Sequence, residues 1–452
     1  ARVGISADEI ETMVTEFCAA GSGICYGRMG ASVQTFGTLT QYLIMLFNML
    51  SGNLNRRGGM MFTQPAADTL PHSGRGTMGK YFSRVRKLPA FAGEYPVAAL
   101  SEEITTPGEG QIKAMVIGGG NPVLTTTNGK QLDKAFEQLD FVVAVDFYIT
   151  ETSRHADIIL PPVTALERDH YDVVFHNFAV RNSAKFSPAL FEQAPETKTD
   201  WQIYLGLAER IDKLNDKATE HYATLWQKEP TGVVDDMLRS GRYANGEHNL
   251  SIQTLRDQPH GIDLGPLQPE LPAAVYHGDK KINMAFDYFM AALVRLEDHF
   301  FSPASPLDQH SAEILYLIGR RHLKSNNSWL HNSPRMMKGL LSDGKGQNPR
   351  CSAQIHPADA TRFGIQDGQL ISVTSRVGKV EIPAELTDKI MPGVISIPHG
   401  WGHNKAGSAW KLAEQHSGVS VNDLTDEMCL DELSGNAVLN GVPVTIAPIN
   451  AG

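Results

Sequence analysis

Apolar residues recur at helical spacing over the first twenty positions (ADEIETMVTEFCAA), and Ser6 followed three residues later by Glu9 predicts a capping box opening an amphipathic helix, with Gly21 as its stop. A second helix is predicted over 38–50. It is apolar on several faces and closes at Ser51-Gly52-Asn53, so it should be deeply buried. From 56 to 110 the periodicity fades into Gly, Pro and Ser (RRGGMMFTQPAADTLPHSGRGTMGK), a stretch too long for a plain connector, which predicts loops lining a site. Order returns at IKAMVIGGGNP, a short apolar strand running into glycines, then a helix near 130–139, then the apolar strand FVVAVD. Strand, helix and strand make a βαβ unit. Its continuously apolar strands suit a parallel sheet covered on both faces, with Asn121 and Asp146 in the loops at the strands' carboxyl ends, where open α/β sheets bind ligands. A third run, ADIILPP, leads into polar and aromatic loop sequence.

The pattern over 199–238 is helical again, one more helix is predicted over 282–295, and 200–310 reads as helical covering. The last third changes character. ILYLIG, QLISVTSRVGKVEIPAEL, GVISIPHGWGH and VPVTIAP are strands separated by Gly, Pro and Asp turns, which a closed barrel accommodates best. Within it, PADATRFGI predicts a short helix with Pro357 at its first position and Gly364 at its end. The expected fold class is therefore α/β: Rossmann-like parallel-sheet structure with helical covering, then a C-terminal β-barrel. The expected divisions are 1–60, the end of an α/β domain with a linking core helix; 61–200, a dinucleotide-binding α/β domain; 201–310, helical covering; and 311–452, the barrel.

Composition narrows the function. Forty Lys and Arg against fifty Asp and Glu give a formal net charge of −10, which argues against a nucleic-acid partner. The longest apolar stretch, 42–50, spans nine residues, where a bilayer helix needs about 20, so no membrane span is expected. The N-terminus lacks the layout of a signal peptide, and the chain is expected to begin inside a domain. Four cysteines, at 18, 25, 351 and 429, lack the spacing of a zinc site or thiol redox pair and are expected to be free and mostly buried.

Self-contained catalytic motifs are missing: there is no HExxH, GxSxG, P-loop or EF-hand loop. Gly118-Gly119-Gly120-Asn121-Pro122 follows a strand and suits close approach of a ligand, or a tight turn in which Asn121 bonds its own backbone; it lacks the GxGxxG order. Asp146 with Thr150-Glu151-Thr152 could read a purine or ribose edge, or the threonines could cap a short helix entering SRHAD. His399 and His403, with no carboxylate partner evident nearby, read as a packed loop rather than a metal site. Arg320-Arg321-His322 concentrates donors suited to phosphate or pterin oxygens, or forms a solvated turn.

Taken in order, IGGGNP, FVVAVDFYITETSRHADIILPPVTALERD, LIGRRH and HPADATRFGIQDGQLISVTSRVGKV closely resemble the successive signatures of the dimethyl sulfoxide reductase family, the molybdenum or tungsten enzymes that use bis-molybdopterin guanine dinucleotide. The segment GICYGRMGASVQTFGTLTQYLIMLFNMLSGNLNRRGG resembles that family's buried helix ending in a Gly-Asn turn. The resemblance implies two α/β domains that each hold part of the cofactor, with a six-stranded barrel of double-psi type clamping both. It implies a cofactor-binding set of Gly119, Asn121, Asp146, Thr150 and Thr152 on the α/β side, and Gly319, Arg320, His322 and Asn422 on the barrel side. No metal ligand is assigned. It also implies a two-electron conversion of a small-molecule substrate, in a funnel shaped by loops 60–110 and 163–182, with His72, Arg75, Glu167 and His170 as candidate catalytic lining. An electron-transfer subunit or carrier is the implied partner.

This chain departs from the family's pattern in lacking the cysteine-rich segment that binds a 4Fe-4S cluster and the residue that ligates molybdenum, both expected in an N-terminal part of the same enzyme. The arginine that formate dehydrogenases place just after the Gly-Gly turn is absent; the nearest is Arg75, and Thr63-Gln64-Pro65 looks more like the loop of nitrate-reducing relatives. Two other readings compete: a non-catalytic pterin-binding or assembly module, and a nicotinamide-dependent dehydrogenase, which the missing glycine fingerprint disfavours. Cytoplasm and periplasm both remain open, with the cytoplasm preferred.

Overall fold

The computed structural model describes residues 4–70, 73, 76–302, 313–322, 325–337 and 351–449. The chain forms two compact units, each built from three separate stretches: Ala1–Tyr26, Met45–Arg75 and Leu160–Met284 in the first, and Gly27–Ile44, Gly76–Ile159 and Ala285–Gly452 in the second.

In the first unit the helix Ala7–Ala19 opens with the expected capping box: Ser6 Oγ accepts the Glu9 N–H at 3.2 Å, and Glu9 Oε2 accepts the Ser6 N–H at 2.8 Å. None of its residues is buried. The helical stretch expected over 199–238 resolves into Asp200–Leu214 and Glu220–Ser240. The second breaks at Glu229 (φ 57°), because Pro230 disfavours helical backbone in the residue before it. Residues 200–310 are not helices alone. The strand Ile262–Gly265 pairs antiparallel with Asn182–Ala184, and the core gathers Ala66, Ala67, Phe186, Leu238, Leu250 and Leu255.

The second unit holds the parallel sheet: β1 (Ala114–Gly118), β2 (Phe141–Val145) and β3 (Ile158–Ile159), in that order. The crossover helix Gly129–Phe136 buries Leu132, Ala135 and Phe136 against Ile117 and Val142. Its N-cap is Asn128, whose side chain accepts the Gln131 N–H. Part of the expected loop region is ordered into a hairpin, Met78–Phe82 with Pro89–Phe91, and the helix Leu100–Thr105.

The barrel strands are β4 (Leu315–Arg320), β5 (Ala353–Ile355), β6 (Leu370–Thr374), β7 (Lys379–Leu386), β8 (Val394–Pro398) and β9 (Val442–Pro448). They close in the order β4-β8-β5-β7-β6-β9. The pairs β4/β8 and β5/β7 run parallel and the other four antiparallel, a mixed closed barrel consistent with the double-psi type. Alternate side chains fill it: Leu315 and Leu317, Ile371 and Val373, Val380 and Ile382, Ile395 and Ile397, Val442 and Val444. The short β5 was not among the expected strands, since AQI is too brief to show a period. The helix Pro357–Phe363 starts on its proline and ends at Gly364 in the left-handed region (φ 66°), as expected.

Three expectations are corrected. The helix Gly37–Leu50 is only half-buried. One side packs Leu39, Tyr42 and Leu43 against Phe289, Ala292, Leu293 and Leu296, and Met45 and Leu50 are exposed. The helix expected over 282–295 lies at Asp287–Phe301. The cysteines are free, but only Cys351 is buried, its thiol pushed up to about 11 chiefly by that burial; Cys18 and Cys429 are exposed. Among the described residues no helix is long and apolar enough to cross a membrane.

Candidate functional site

The carboxyl ends of β1 and β2 are in register, Gly118 opposite Val145, and the Gly119 N–H donates to Val145 O at 2.9 Å. Gly119 has φ 60° with open space where a side chain would sit, so the turn leaves room above the strand ends. Beside it, Asp146 Oδ1 accepts the Phe147 N–H at 2.7 Å and the Tyr148 N–H at 3.3 Å, while its Oδ2 meets no partner among the described residues. Burial raises the Asp146 carboxyl against the lowering effect of those two amides. An acceptor carboxylate next to an open glycine turn at parallel strand ends is the arrangement that binds a nucleotide's sugar or base.

The neighbouring polar residues are not free to do so. Asn121, Thr150 and Thr152 are buried, and their side chains are used up internally. Thr150 Oγ1 accepts the N–H groups of Thr152 and Ser153 in the turn that enters the one-turn helix Ser153–His155, whose N-cap Thr152 makes no side-chain capping bond. Thr152 Oγ1 accepts the Val123 N–H at 3.0 Å and donates to Asn121 Oδ1 at 2.7 Å. Asn121 Nδ2 donates to Glu151 Oε2 at 2.7 Å. The side chains of these three shape the turn from beneath.

Glu151 continues the network. Its Oε1 lies 3.0 Å from His403 Nδ1, and His403 Nε2 lies 2.8 Å from His331 Nδ1. All three side chains are completely buried. His399 and His403 are thus packed in a loop, as expected, yet a carboxylate partner exists. It stands 252 residues away in sequence, which is why reading along the chain missed it. No cluster of three or more His, Cys, Asp or Glu suited to a metal ion occurs among the described residues.

A second buried hub is Asp133 on the crossover helix. Its Oδ1 meets Arg154 Nη2 at 2.5 Å and His155 Nε2 at 2.7 Å, and its Oδ2 meets Lys405 Nζ at 3.2 Å. Burial pushes this carboxyl up, but hydrogen bonds from His155 and Arg154 and the charges of Lys405 and Arg154 outweigh it and hold it well below the usual carboxylate range. Arg154 also donates to Ala406 O at 3.1 Å. Two backbone-level links join the sheet segment to the barrel loops: Asn422 Nδ2 donates to Leu124 O at 2.6 Å, and the Asn128 N–H to Thr425 O at 2.9 Å. Asn422 is thereby a brace between elements, its Oδ1 accepting from Thr425, and not an exposed ligand contact.

On the barrel side, Arg320, Arg321, His322, Ser325, Gln354, Glu385, His399 and Trp401 line a cleft of about 100 Å³. The Arg320 guanidinium donates to Ser396 O at 3.0 Å and Ser352 O at 3.1 Å, so it braces barrel carbonyls. The Gly319 N–H donates to Asn440 Oδ1 at 2.8 Å, and His322 is exposed. Arg321, a member of the cluster read from sequence though not of the implied binding set, donates to Asn327 and meets no carboxylate among the described residues.

Of the catalytic candidates, Glu167 and His170 belong to the first unit. His72 and Arg75 lie outside the described residues. Glu167 folds back on its own loop, accepting from Thr164 N at 2.8 Å and Thr164 Oγ1 at 2.7 Å, and these bonds lower its carboxyl. His170 is exposed on a two-residue ladder opposite Ser187. Gln64, read as part of a substrate-facing loop, is buried: it exchanges bonds with Asn182 at 3.0 and 2.7 Å and donates to Gln268 O at 2.9 Å, so this glutamine organises the core of its unit.

Comparison with known proteins agrees with this architecture. The family model described as "Molybdopterin oxidoreductase" matches residues 23–210, and that described as "Molydopterin dinucleotide binding domain" matches residues 315–443. Formate dehydrogenase H of Escherichia coli is 26% identical over 437 residues, 88% of this chain and 54% of the relative. The thiosulfate reductase molybdopterin-containing subunit of Salmonella typhimurium is 27% identical over 417 residues, 84% of this chain and 52% of the relative. A dimethyl sulfoxide/trimethylamine N-oxide reductase of Cereibacter sphaeroides is 28% identical over 311 residues, 64% of this chain and 36% of the relative. The first and second of these show that the chain spans about half the length of curated relatives it matches. Acetylene hydratase from Pelobacter acetylenicus has the same fold, with a TM-score of 0.66 at 15% identity, covering 99% of this chain and 63% of that structure. Two family models, several relatives of one kind and the sheet-plus-barrel architecture converge: the chain belongs to the dimethyl sulfoxide reductase family of molybdopterin oxidoreductases and carries that family's molybdopterin-dinucleotide-binding domain.

Proposed function

We propose that this chain is the cofactor-holding part of a molybdenum or tungsten oxidoreductase that carries out a two-electron conversion of a small substrate with bis-molybdopterin guanine dinucleotide. The observation that carries this reading is the presence, within one compact unit, of open parallel strand ends and a closed barrel whose loops bond directly to the sheet segment through Asn422 and Asn128. The donor set fits the group. Gly119 leaves space for a nucleotide, Asp146 offers to ribose or guanine N–H and O–H groups a carboxylate oxygen without a partner among the described residues, and Arg321 offers to phosphate oxygens a cation that meets no carboxylate among those residues. When bound, the metal–pterin centre supplies the two-electron chemistry. This chain's part is to bind and orient it: the buried Asn121–Glu151–His403 network fixes the turn from below, and Arg320 stiffens the barrel rim. Electron exchange with a separate carrier or subunit completes the proposal, supported by relatives that are themselves named as subunits.

Asp146→Ala tests the nucleotide role. It removes the partner-free oxygen together with the acceptor of the Phe147 and Tyr148 N–H groups, and is expected to lower the guanine nucleotide released per purified protein at least threefold while the melting temperature falls by no more than about 4 °C, the scale of about 1 kcal/mol for lost hydrogen bonds. Unchanged nucleotide content would remove Asp146 from the site.

A further inference from the structure

A cavity of about 380 Å³ lies within the second unit, beside the amino end of β1. Ile112, one of its lining residues, stands two residues before that strand, whereas Gly119 follows the strand's carboxyl end, so about 13 Å of extended backbone separates the two. The cavity is therefore distinct from the strand-end turn assigned to the cofactor. Its volume falls in the range of small-molecule sites, about 300–1,000 Å³. Leu100 and Ile112 line it with aliphatic surface, and Phe82 and Tyr95 bring to it two rings that are more than half exposed. Aromatic side chains left open beside an apolar hollow suit a flat apolar body, which gains ring contacts as well as burial.

Arg84 and Glu103 line the same cavity, and their bonds decide the rest of the ligand. Arg84 Nη2 donates to Thr106 O at 2.6 Å and to Glu103 O at 3.4 Å, which fixes the guanidinium at the end of the helix Leu100–Thr105. The Glu103 carboxylate accepts the Val85 N–H at 2.8 Å and stands 3.4 Å from Arg84 Nε. Even so the guanidinium is under-used. Its Nε is buried without a hydrogen bond, and its Nη1 meets no acceptor among the described residues. A shielded N–H left in this state calls for an acceptor. A charged acceptor fits poorly, because Glu103 already balances Arg84 and a second carboxylate would face a first one whose side chain is only 11% exposed. An uncharged carbonyl oxygen takes the N–H groups without that repulsion.

We propose that this cavity binds an uncharged aryl ketone, its ring seated against Phe82 and Tyr95 and its carbonyl oxygen accepting from Arg84. The site is independent of the redox reading and stands or falls separately from it.

The test titrates the complete chain with para-fluoroacetophenone, followed by fluorine NMR, and compares it with para-fluorobenzoate and with fluorobenzene. The ketone should bind saturably and about fivefold tighter than fluorobenzene, the scale of one hydrogen bond, and at least as much tighter than the benzoate, which brings a second carboxylate to Glu103. Val97 lines the cavity from a position 42% exposed, so Val97→Trp can fill it without disturbing the core. That variant should abolish saturable binding while the melting temperature moves by less than about 2 °C, and Val97→Ala should retain it. Arg84→Lys, whose shorter ammonium is taken up by Glu103, should remove the ketone's advantage over fluorobenzene; Val97→Trp is read independently of whether the lysine variant folds. Absence of saturable ketone binding, binding that Val97→Trp leaves intact, an advantage that survives Arg84→Lys, or a benzoate or fluorobenzene bound as tightly as the ketone would overturn the proposal.

Discussion

Replacing Glu151 with leucine is expected to cost about 3–5 kcal/mol of folding stability, the range found when one partner of a buried charged pair is removed. The carboxylate is completely buried and serves both ends of the network, accepting from Asn121 Nδ2 and pairing with His403 Nδ1. Leucine leaves an amide donor and an imidazole nitrogen buried without partners, at positions that bring the sheet's strand-end loop together with the barrel loop 399–403. Glu151→Gln is the control. Its amide oxygen can accept from Asn121 and its N–H can donate to His403, so the loss should stay below about 1.5 kcal/mol. Denaturant midpoints of the complete chain distinguish these outcomes, and a leucine variant as stable as the glutamine one would show that the network contributes no more than packing.

The second large effect is at Asp133. Substitution by alanine strands Arg154, His155 and Lys405 around one vacated position, and the expected loss is about 3 kcal/mol, the low end for a broken buried ion pair, because Arg154 and Lys405 retain some access to water. It carries a pH signature. The Asp133 carboxyl is held well below its ordinary value in the folded chain, so its contribution is complete above the unfolded value near 4 and is lost as pH falls through the folded one. His331 and His399 act in the same direction from a higher starting point: both resist protonation when folded, and the unfolded chain gains protons as pH falls below about 6.5. Stability of the parent should therefore decline from about pH 6.5 downwards and steepen below about pH 4. Asp133→Ala should keep the first decline and lose part of the second. Superimposable profiles for the two proteins would refute the assignment of that acid limb to Asp133.

Much of the architecture was legible because it is local. The Ser6–Glu9 capping box, the Pro357 start and Gly364 stop, and the alternating apolar positions of the barrel strands are all written within a few residues of one another. The strand ends carrying Gly119 and Asp146 could likewise be located from apolar runs that stop at glycine or aspartate. What sequence reading missed is non-local. Glu151, His403 and His331 become a unit only after the barrel loop meets the sheet, and Gln64 is engaged by Asn182 and Gln268, more than a hundred residues away. The threonines read as facing a ribose or capping a helix are engaged with nearby backbone N–H groups, Thr150 with Thr152 and Ser153 and Thr152 with Val123, because buried hydroxyls bond first to unsatisfied N–H groups beside them. Similarly, Arg320 and Arg321 are adjacent in sequence, yet the strand's last residue is drawn onto barrel carbonyls while the next one carries its charge into the cleft.

The central claim is that this chain holds a pyranopterin dinucleotide at a molybdenum or tungsten centre. The most direct measurement is metal analysis of the protein purified from the cells that make it, combined with release and quantification of oxidised pterin and guanosine monophosphate from the same sample. The account predicts molybdenum or tungsten with two pterins and two guanine nucleotides per metal; a folded protein devoid of pterin, or one carrying a nicotinamide or flavin dinucleotide instead, would contradict it.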